Sequence, residues 1–328
     1  MLPTLRNLAG FALVGLLAAC GTQPQTQDAL TQADAQALSE AAQGDLQLTG
    51  AMLGDASAGA LSAQGGVDSL DARAQAWGLP RRINLILRAV GVLYLPPFGS
   101  GNCAIQTTPS PPVDADDDGV PTDATTTYHC SYTGPGGTIY SLNGAIRLQD
   151  TNDNQPYSGY SVTFDSFRSR VSGNTASVER TLNGSYSLDK QDATLFKISK
   201  NYTHSVTKTA ANNTYTGSLV FAVGKTYAPD SDGDGNPWNA GTITVDKASP
   251  GSATWTRGHN TRNLIWYTDP TLHWNPKVCQ NPLGRLMNFD SGAKEFVYTN
   301  PANEKSTLRI EFSACGNFTV TLDGQTLQ

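Results

Sequence analysis

Apolar and polar residues alternate with a period of two through much of the C-terminal two thirds of the chain. Clear runs are Tyr160-Ser161-Val162-Thr163-Phe164-Asp165-Ser166-Phe167, Leu195-Phe196-Lys197-Ile198, Leu308-Arg309-Ile310-Glu311-Phe312 and Phe318-Thr319-Val320-Thr321-Leu322. On an extended chain this spacing puts the apolar side chains on one face, which marks half-buried strands. Between the runs stand Gly134-Pro135-Gly136-Gly137, Asn143-Gly144, Gly173-Asn174, Asn183-Gly184, Asn212-Asn213 and Asp323-Gly324. Asn-Gly and Asp-Gly supply the positive φ angles of tight hairpins, so these predict turns. Residues 101–328 are thus expected to form about eleven strands and no long helix. The expected fold is all-β: an antiparallel sandwich or a barrel-like meander.

The pattern changes upstream. Residues 20–66 are dominated by Gln, Ala, Thr, Ser, Asp and Gly and hold no aromatic residue. Such a stretch buries too little apolar surface to offset its ordering entropy and predicts a flexible, disordered tether. Ala29 to Ala42 favours helix locally and is expected to form one transiently. Residues 67–100 form a third region, with a short helix expected over Val67–Trp77. In it, Ile83 to Leu95 is strongly apolar but carries Arg88. It is too short to cross a bilayer, which needs roughly 20 apolar residues, and is expected to pack on the main domain as a buried strand or helix.

Residues 1–10 carry Arg6 and no acid, and Phe11 to Ala19 is an apolar run ending at Cys20. This is the layout of a signal peptide rather than a membrane anchor. Leu17-Ala18-Ala19-Cys20 resembles the lipobox of bacterial lipoproteins. That resemblance implies a diacylglycerol on the Cys20 sulfur, removal of residues 1–19, and a membrane partner through the lipid; several acyl chains make a firm anchor. Gly21, in place of the Asp that retains such proteins at the inner membrane, favours the outer membrane or cell surface.

Charge then excludes one class of partner. Without residues 1–19 the chain carries 21 basic and 28 acidic side chains, and no basic cluster occurs. Phosphate neutralisation by Lys and Arg supplies most non-specific nucleic-acid affinity, so nucleic acid is not an expected partner. Four cysteines remain after Cys20: Cys103, Cys130, Cys279 and Cys315. An even number in an exported chain implies disulfides. Of the three connectivities, Cys103–Cys130 and Cys279–Cys315 are expected, because they close the shorter loops and each brackets strand-like segments.

Two acidic stretches carry the most specific candidate chemistry. Asp114-Ala115-Asp116-Asp117-Asp118-Gly119 and Asp230-Ser231-Asp232-Gly233-Asp234-Gly235 both read Asp-x-Asp-x-Asp-Gly. Each has a proline seven residues after the first aspartate (Pro121, Pro237) and an oxygen donor nine after it (Asp123, Asn239). Calcium takes six to eight hard oxygen ligands, and a glycine allows the sharp turn that brings them together. The pattern resembles the first half of EF-hand loops and the Asp-rich loops of dockerins and thrombospondin type 3 repeats. It departs from the EF-hand at the twelfth position, where Thr125 or Gly241 stands in place of the bidentate glutamate. The expected calcium ligands are Asp114, Asp116, Asp118 and Asp123 in one loop, and Asp230, Asp232, Asp234 and Asn239 in the other. Asp150-Thr151-Asn152-Asp153-Asn154 is a weaker variant without the glycine.

A different reading uses the histidines. His129, His204, His259 and His273 could together bind copper, as in exported copper-only superoxide dismutases, yet no His-x-His pair is present. No Gly-x-Ser-x-Gly elbow supports a serine hydrolase. Trp77, Trp238, Trp255, Trp266 and Trp274 could stack on sugars or fill a core. By layout the chain loosely resembles surface-layer-associated envelope lipoproteins. The expected role is structural, adhesive or binding, towards an envelope protein, a surface-layer protein or a glycan. The alternative is a metal-dependent redox enzyme or an unrecognised hydrolase.

Overall fold

The structure, a computed structural model, describes residues 29–53, 79–90, 92, 102–210, 213–230, 237, 240–257, 260–276, 278–279, 288–315 and 317–327. The expected signal segment, Cys20 and the helix expected over Val67–Trp77 lie outside these residues. The fold is all-β in its main body, as the alternation predicts. Among the described residues fifteen strands belong to one antiparallel sheet: β1 Cys103–Thr108, β2 Asp123–Thr133, β3 Ile139–Asp150, β4 Gly159–Ser172, β5 Ala176–Lys190, β6 Phe196–Ala210, β7 Asn213–Pro229, β8 Gly241–Thr244, β9 Gly251–Arg257, β10 Asn260–Thr268, β11 Leu272–Trp274, β12 Phe289–Thr299, β13 Lys305–Ala314, β14 Asn317–Leu322 and β15 Gln325–Thr326.

The sheet is a meander. Each strand from β1 to β8 pairs with the next, and so do β11 to β15. Strands β8 and β9 pair with different stretches of β7, residues 226–229 and 217–222. Strands β11 and β10 likewise divide β12 between them. Among the described residues β1 pairs only with β2, and β15 only with β14, so the sheet is open at both ends.

One face is buried and the other carries hydroxyl-rich pairs such as Thr207–Thr216 (3.0 Å) and Thr256–Thr261 (3.1 Å), as suits an antiparallel sheet wetted on one side. The buried face is concave. In a flat sheet β7 and β12, three strand steps apart, would be separated by about 14 Å. Their Phe221 and Phe296 rings instead have centroids 6.5 Å apart. Trp255, Trp266 and Trp274 lie on this face and are fully buried, so they fill the core and present no stacking surface to a sugar. Trp77 and Trp238 lie outside the described residues.

Two Asn-Gly pairs depart from their expected role as hairpin turns. Asn143-Gly144 lies inside β3 and Asn183-Gly184 inside β5. Gly144 has φ +95° and Gly184 φ +114°, and an added Cβ would meet Ser166 O at 2.4 Å and Asn201 O at 2.3 Å. Register shifts fall beside them, at Asn143/Ala145 on β3 and Phe164/Phe167 on β4. A mid-strand glycine of this kind marks a bulge or close backbone approach, and bulges bend a sheet. The strands here run straight through where the dipeptide suggested a reversal.

The expected tether is corrected over part of its length. Gln32–Leu53 is a 22-residue helix, α1, buried on nearly all sides. Thr31 and Asp34 cap it reciprocally: Asp34 N donates to Thr31 Oγ1 (3.1 Å) and Thr31 N donates to Asp34 Oδ2 (3.2 Å). A second helix, α2 (Arg81–Ala89), packs against α1 and accounts for part of the apolar segment 83–95. Its Arg82 side chain donates to Met52 O and lies over the Tyr160 ring. Residues 20–28 and 54–66 of the expected tether lie outside the described residues. An alanine-rich, weakly apolar stretch reads as tether because its burial comes from the sheet around it, not from its own hydrophobicity.

Helix α1 is matched to the sheet in shape and charge. Gly44 lies flat on the His204 ring, where an added Cβ would stand 2.3 Å from Cε1. Its acids meet sheet cations: Asp34 pairs with Arg257 and Arg262, Glu40 with Lys208, and Asp45 with Lys200 and Lys294. We predict that Gly44→Ala destabilises the fold by about 1–3 kcal/mol through overpacking. Urea titration should show this, with much of the loss recovered in Gly44→Ala/His204→Ala; an unchanged midpoint in the single variant would refute the close packing.

The disulfides are Cys103–Cys130 and Cys279–Cys315, as expected. The first joins directly opposed residues of β1 and β2. The second ties the segment after β11 to the end of β13. With sequence separations of 27 and 36, each bridge should contribute about 3–4 kcal/mol on the chain-entropy account. Denaturant titration of Cys279→Ser/Cys315→Ser measures the second directly.

Candidate cation site

The first acidic loop lies between β1 and β2. Its shape comes from Asx-type turns, in which a carboxylate accepts from the backbone two residues on. Asp116 Oδ1 accepts from Asp118 N (3.3 Å), and Asp118 Oδ1 from Val120 N (2.9 Å). Asp114 Oδ2 accepts from Gly119 N (3.0 Å) across the loop. Asp117 (φ +58°) and Gly119 (φ +86°) make the reversal that turns these side chains inward.

The meander lays the connection between β3 and β4 against this loop. Asp153 Oδ1 accepts from Ala115 N (3.0 Å), and Asp153 Oδ2 accepts from the Thr122 hydroxyl. Tyr157 N donates to Asp118 Oδ2 (2.9 Å), and Asp150 N to Pro121 O (3.2 Å). Asp150 Oδ1 is held by Asn152 N (3.1 Å) and Ser158 Oγ (3.0 Å).

Five carboxylates therefore cluster in two trios that share Asp116. Ligand atoms of Asp114, Asp116 and Asp118 lie within 4.8 Å of one another, as do those of Asp116, Asp150 and Asp153. Two oxygens bound to one calcium at roughly 2.4 Å can be at most about 4.8 Å apart, so each trio fits a single ion. Asp114 Oδ1, Asp116 Oδ2 and Asp150 Oδ2 are buried and have no hydrogen-bond partner. Asp150 as a residue is only 8% exposed. Unpartnered buried carboxylate oxygens are strongly unfavourable, and a cation in either trio would satisfy those of its own members. Burial, followed by the charges of Asp118, Asp150 and Asp114, pushes the Asp116 carboxyl up to about 6. Burial also raises Asp114 and Asp150. An all-oxygen donor set selects a hard ion over copper or zinc.

Other expected ligands fall elsewhere. Asp123, at the start of β2, is bound by Arg147 across the strand pair (Nε to Oδ1 2.7 Å), which holds its carboxyl below the usual range. Asp123 is thus paired with a guanidinium, and Asp150 and Asp153 stand beside Asp116 in its stead. In the second acidic loop Asp232, Asp234 and Asn239 lie outside the described residues. Asp230 Oδ2 meets His273 Nε2 at 2.9 Å, and His273 Nδ1 meets Asp290 at 2.7 Å. Burial acts to lower the His273 pKa, but its two carboxylate partners outweigh burial and raise it.

The histidines are not brought together. His129 is exposed on β2, His204 is buried under α1, and His273 sits between two aspartates; His259 lies outside the described residues. Among the described residues no histidine belongs to a group of three potential metal ligands.

The sequence reading missed a second constellation, a buried charge cluster where α1 crosses β6, β7 and β12. Asp45 contacts Lys200 and Tyr202 through Oδ1 and Lys294 through Oδ2 (2.6 Å). Lys200 and Lys225 both reach Thr49 Oγ1, at 2.8 and 3.3 Å. The signal was legible in part: alternation through Phe196, Ile198, Lys200 and Tyr202 assigns Lys200 to the inward face.

Comparison with known protein families, characterised proteins and solved structures finds no match to this chain.

Proposed function

We propose that this chain is a calcium-stabilised envelope protein, lipid-anchored through Cys20, with a structural or adhesive role at the outer membrane or cell surface. The observation that carries the reading is the set of buried, unpartnered carboxylate oxygens of Asp114, Asp116 and Asp150, spread over two adjoining acidic trios that share Asp116. That cluster clamps two inter-strand connections at one end of the meander, so calcium there would rigidify the rim of the sheet. Two disulfides agree with an oxidising compartment. Among the described residues no helix is long and apolar enough to cross a membrane.

Calorimetric titration of the purified chain with calcium tests the site. Binding is expected in the wild type and its loss from this pocket in Asp116→Asn/Asp150→Asn, while zinc and copper fail to compete. A titration without heat or saturation refutes the calcium reading. In cells, Cys20→Ser should move the protein from the membrane to the soluble fraction and abolish fatty-acid labelling. Labelling equal to the wild type would refute the anchor.

A further inference from the structure

We propose that Asp45 and Lys200 are joined by a side-chain amide bond, formed after folding, that covalently fastens helix α1 to strand β6. The two groups are in direct contact and neither has measurable access to solvent. Around them stand Lys225, Lys294, Thr49, Tyr202, Tyr186, Phe221, Trp266 and Phe296, all on the concave face or on α1. The inference does not rest on the calcium reading.

The surroundings supply each part such a condensation needs. The Lys200 amine faces the Asp45 carboxyl and attacks Cγ. Tyr202 O–H donates to Oδ1, the oxygen that stays as the amide carbonyl and carries negative charge in the tetrahedral intermediate. Lys294 donates to Oδ2, the oxygen that leaves. Lys225 stands beside Lys200, both reaching Thr49 Oγ1, and is the base for its protons. Burial, then the neighbouring Lys200, lowers Lys225 well below an ordinary lysine, which favours it as a proton acceptor. Burial brings Lys294 down to about 8, poised to give and retake a proton.

The step balances without a co-reactant. The Lys200 ammonium loses two protons, the N–Cγ bond forms, the Cγ–Oδ2 bond breaks, and Oδ2 departs as water with both protons. Lys225 and Lys294 relay the protons and end as they began. In water, hydrolysis opposes amide formation; here both groups are sealed from bulk solvent, and a buried ion pair is replaced by a neutral amide. The surplus of three lysines around one carboxylate thereby gains a purpose beyond simple pairing. A pull on the chain N-terminal to α1 would be borne by a covalent bond to β6 rather than by helix packing.

The test is peptide mapping of the purified, folded, full chain after reduction and proteolysis, read by mass spectrometry. The expected result is one branched species containing the Asp45 and Lys200 segments, lighter by one water than their sum. Quantitative recovery of the two segments as separate, unmodified peptides overturns the proposal, and a link to Lys294 instead overturns the assignment. The wild-type map decides this without relying on any variant that fails to fold. Lys200→Arg should abolish the branched species, and Lys225→Met should slow its appearance at least tenfold after refolding. A wild-type rate in Lys225→Met overturns the role of Lys225 as base.

Discussion

Asp45→Leu is expected to be among the most damaging single changes in this chain, because it leaves three fully buried lysines facing one another with no anion. Removing one partner of a buried ion pair typically costs about 3–5 kcal/mol. That is a large part of the roughly 5–15 kcal/mol by which a domain is stable at all. Burial opposes ionisation of Asp45, yet Lys200, Lys294 and Lys225 outweigh it and hold the carboxyl well below its usual range. The variant should therefore show a lower melting temperature and faster proteolysis of α1. A second variant separates lost charge from lost packing: Asp45→Leu/Lys200→Met/Lys225→Met/Lys294→Met removes the unpaired cations as well. It should be more stable than the single variant by about 3 kcal/mol, since apolar side chains of similar volume suit this interior. Neither variant can form the Asp45–Lys200 amide, so their difference reads the charges alone. If the single variant melts like the wild type, α1 is not docked as described.

Chelation should lower the melting temperature by roughly 5–10 °C in a chain otherwise held at a hundredfold calcium excess over Kd, from a linkage of about 2.7 kcal/mol. The effect has a definite pH dependence. The Asp116 carboxyl titrates near 6 in the folded state against an ordinary 3.8, so without metal the fold holds this proton more tightly than the unfolded chain does. Its contribution without calcium is therefore favourable at low pH and is lost as pH rises through about 6. Calcium requires the ionised carboxylates, so its stabilisation is full above about pH 6 and fades below it. Melting curves with calcium and with chelator should thus converge at about pH 5 and separate at about pH 7.5. Asp116→Asn should flatten both responses. Curves that coincide at the higher pH would reduce this pocket to an acidic turn.

Much of the fold was legible because its signals are local. Period-two alternation at Tyr160–Phe164 and Leu308–Phe312 needs only the pleat of the strand itself, and these residues do point inward. The disulfide pairs followed from loop length and flanking strands. The first Asp-x-Asp-x-Asp-Gly turn was visible because its own backbone bonds shape it. Asn-Gly was misleading at 143–144 and 183–184 because the dipeptide specifies positive φ, and a bulge satisfies that as well as a hairpin.

What the amino-acid order by itself determined, then, is strand content, sulfur pairing and one acidic turn of the candidate cation site, all set by signals local in sequence. The tertiary structure alone decided three further matters. Asp153 meets the loop holding Ala115 across 38 residues of sequence because the meander places two connections at the same edge of the sheet. Residues 32–53 become a buried helix because a curved sheet surrounds them, supplying apolar contact that their alanines and glycines cannot announce. Asp45 finds Lys200, Lys225 and Lys294 because curvature converges β6, β7 and β12 on one point. Side-chain pairing over such separations depends on register and curvature, quantities that exist only once the sheet has curved over α1.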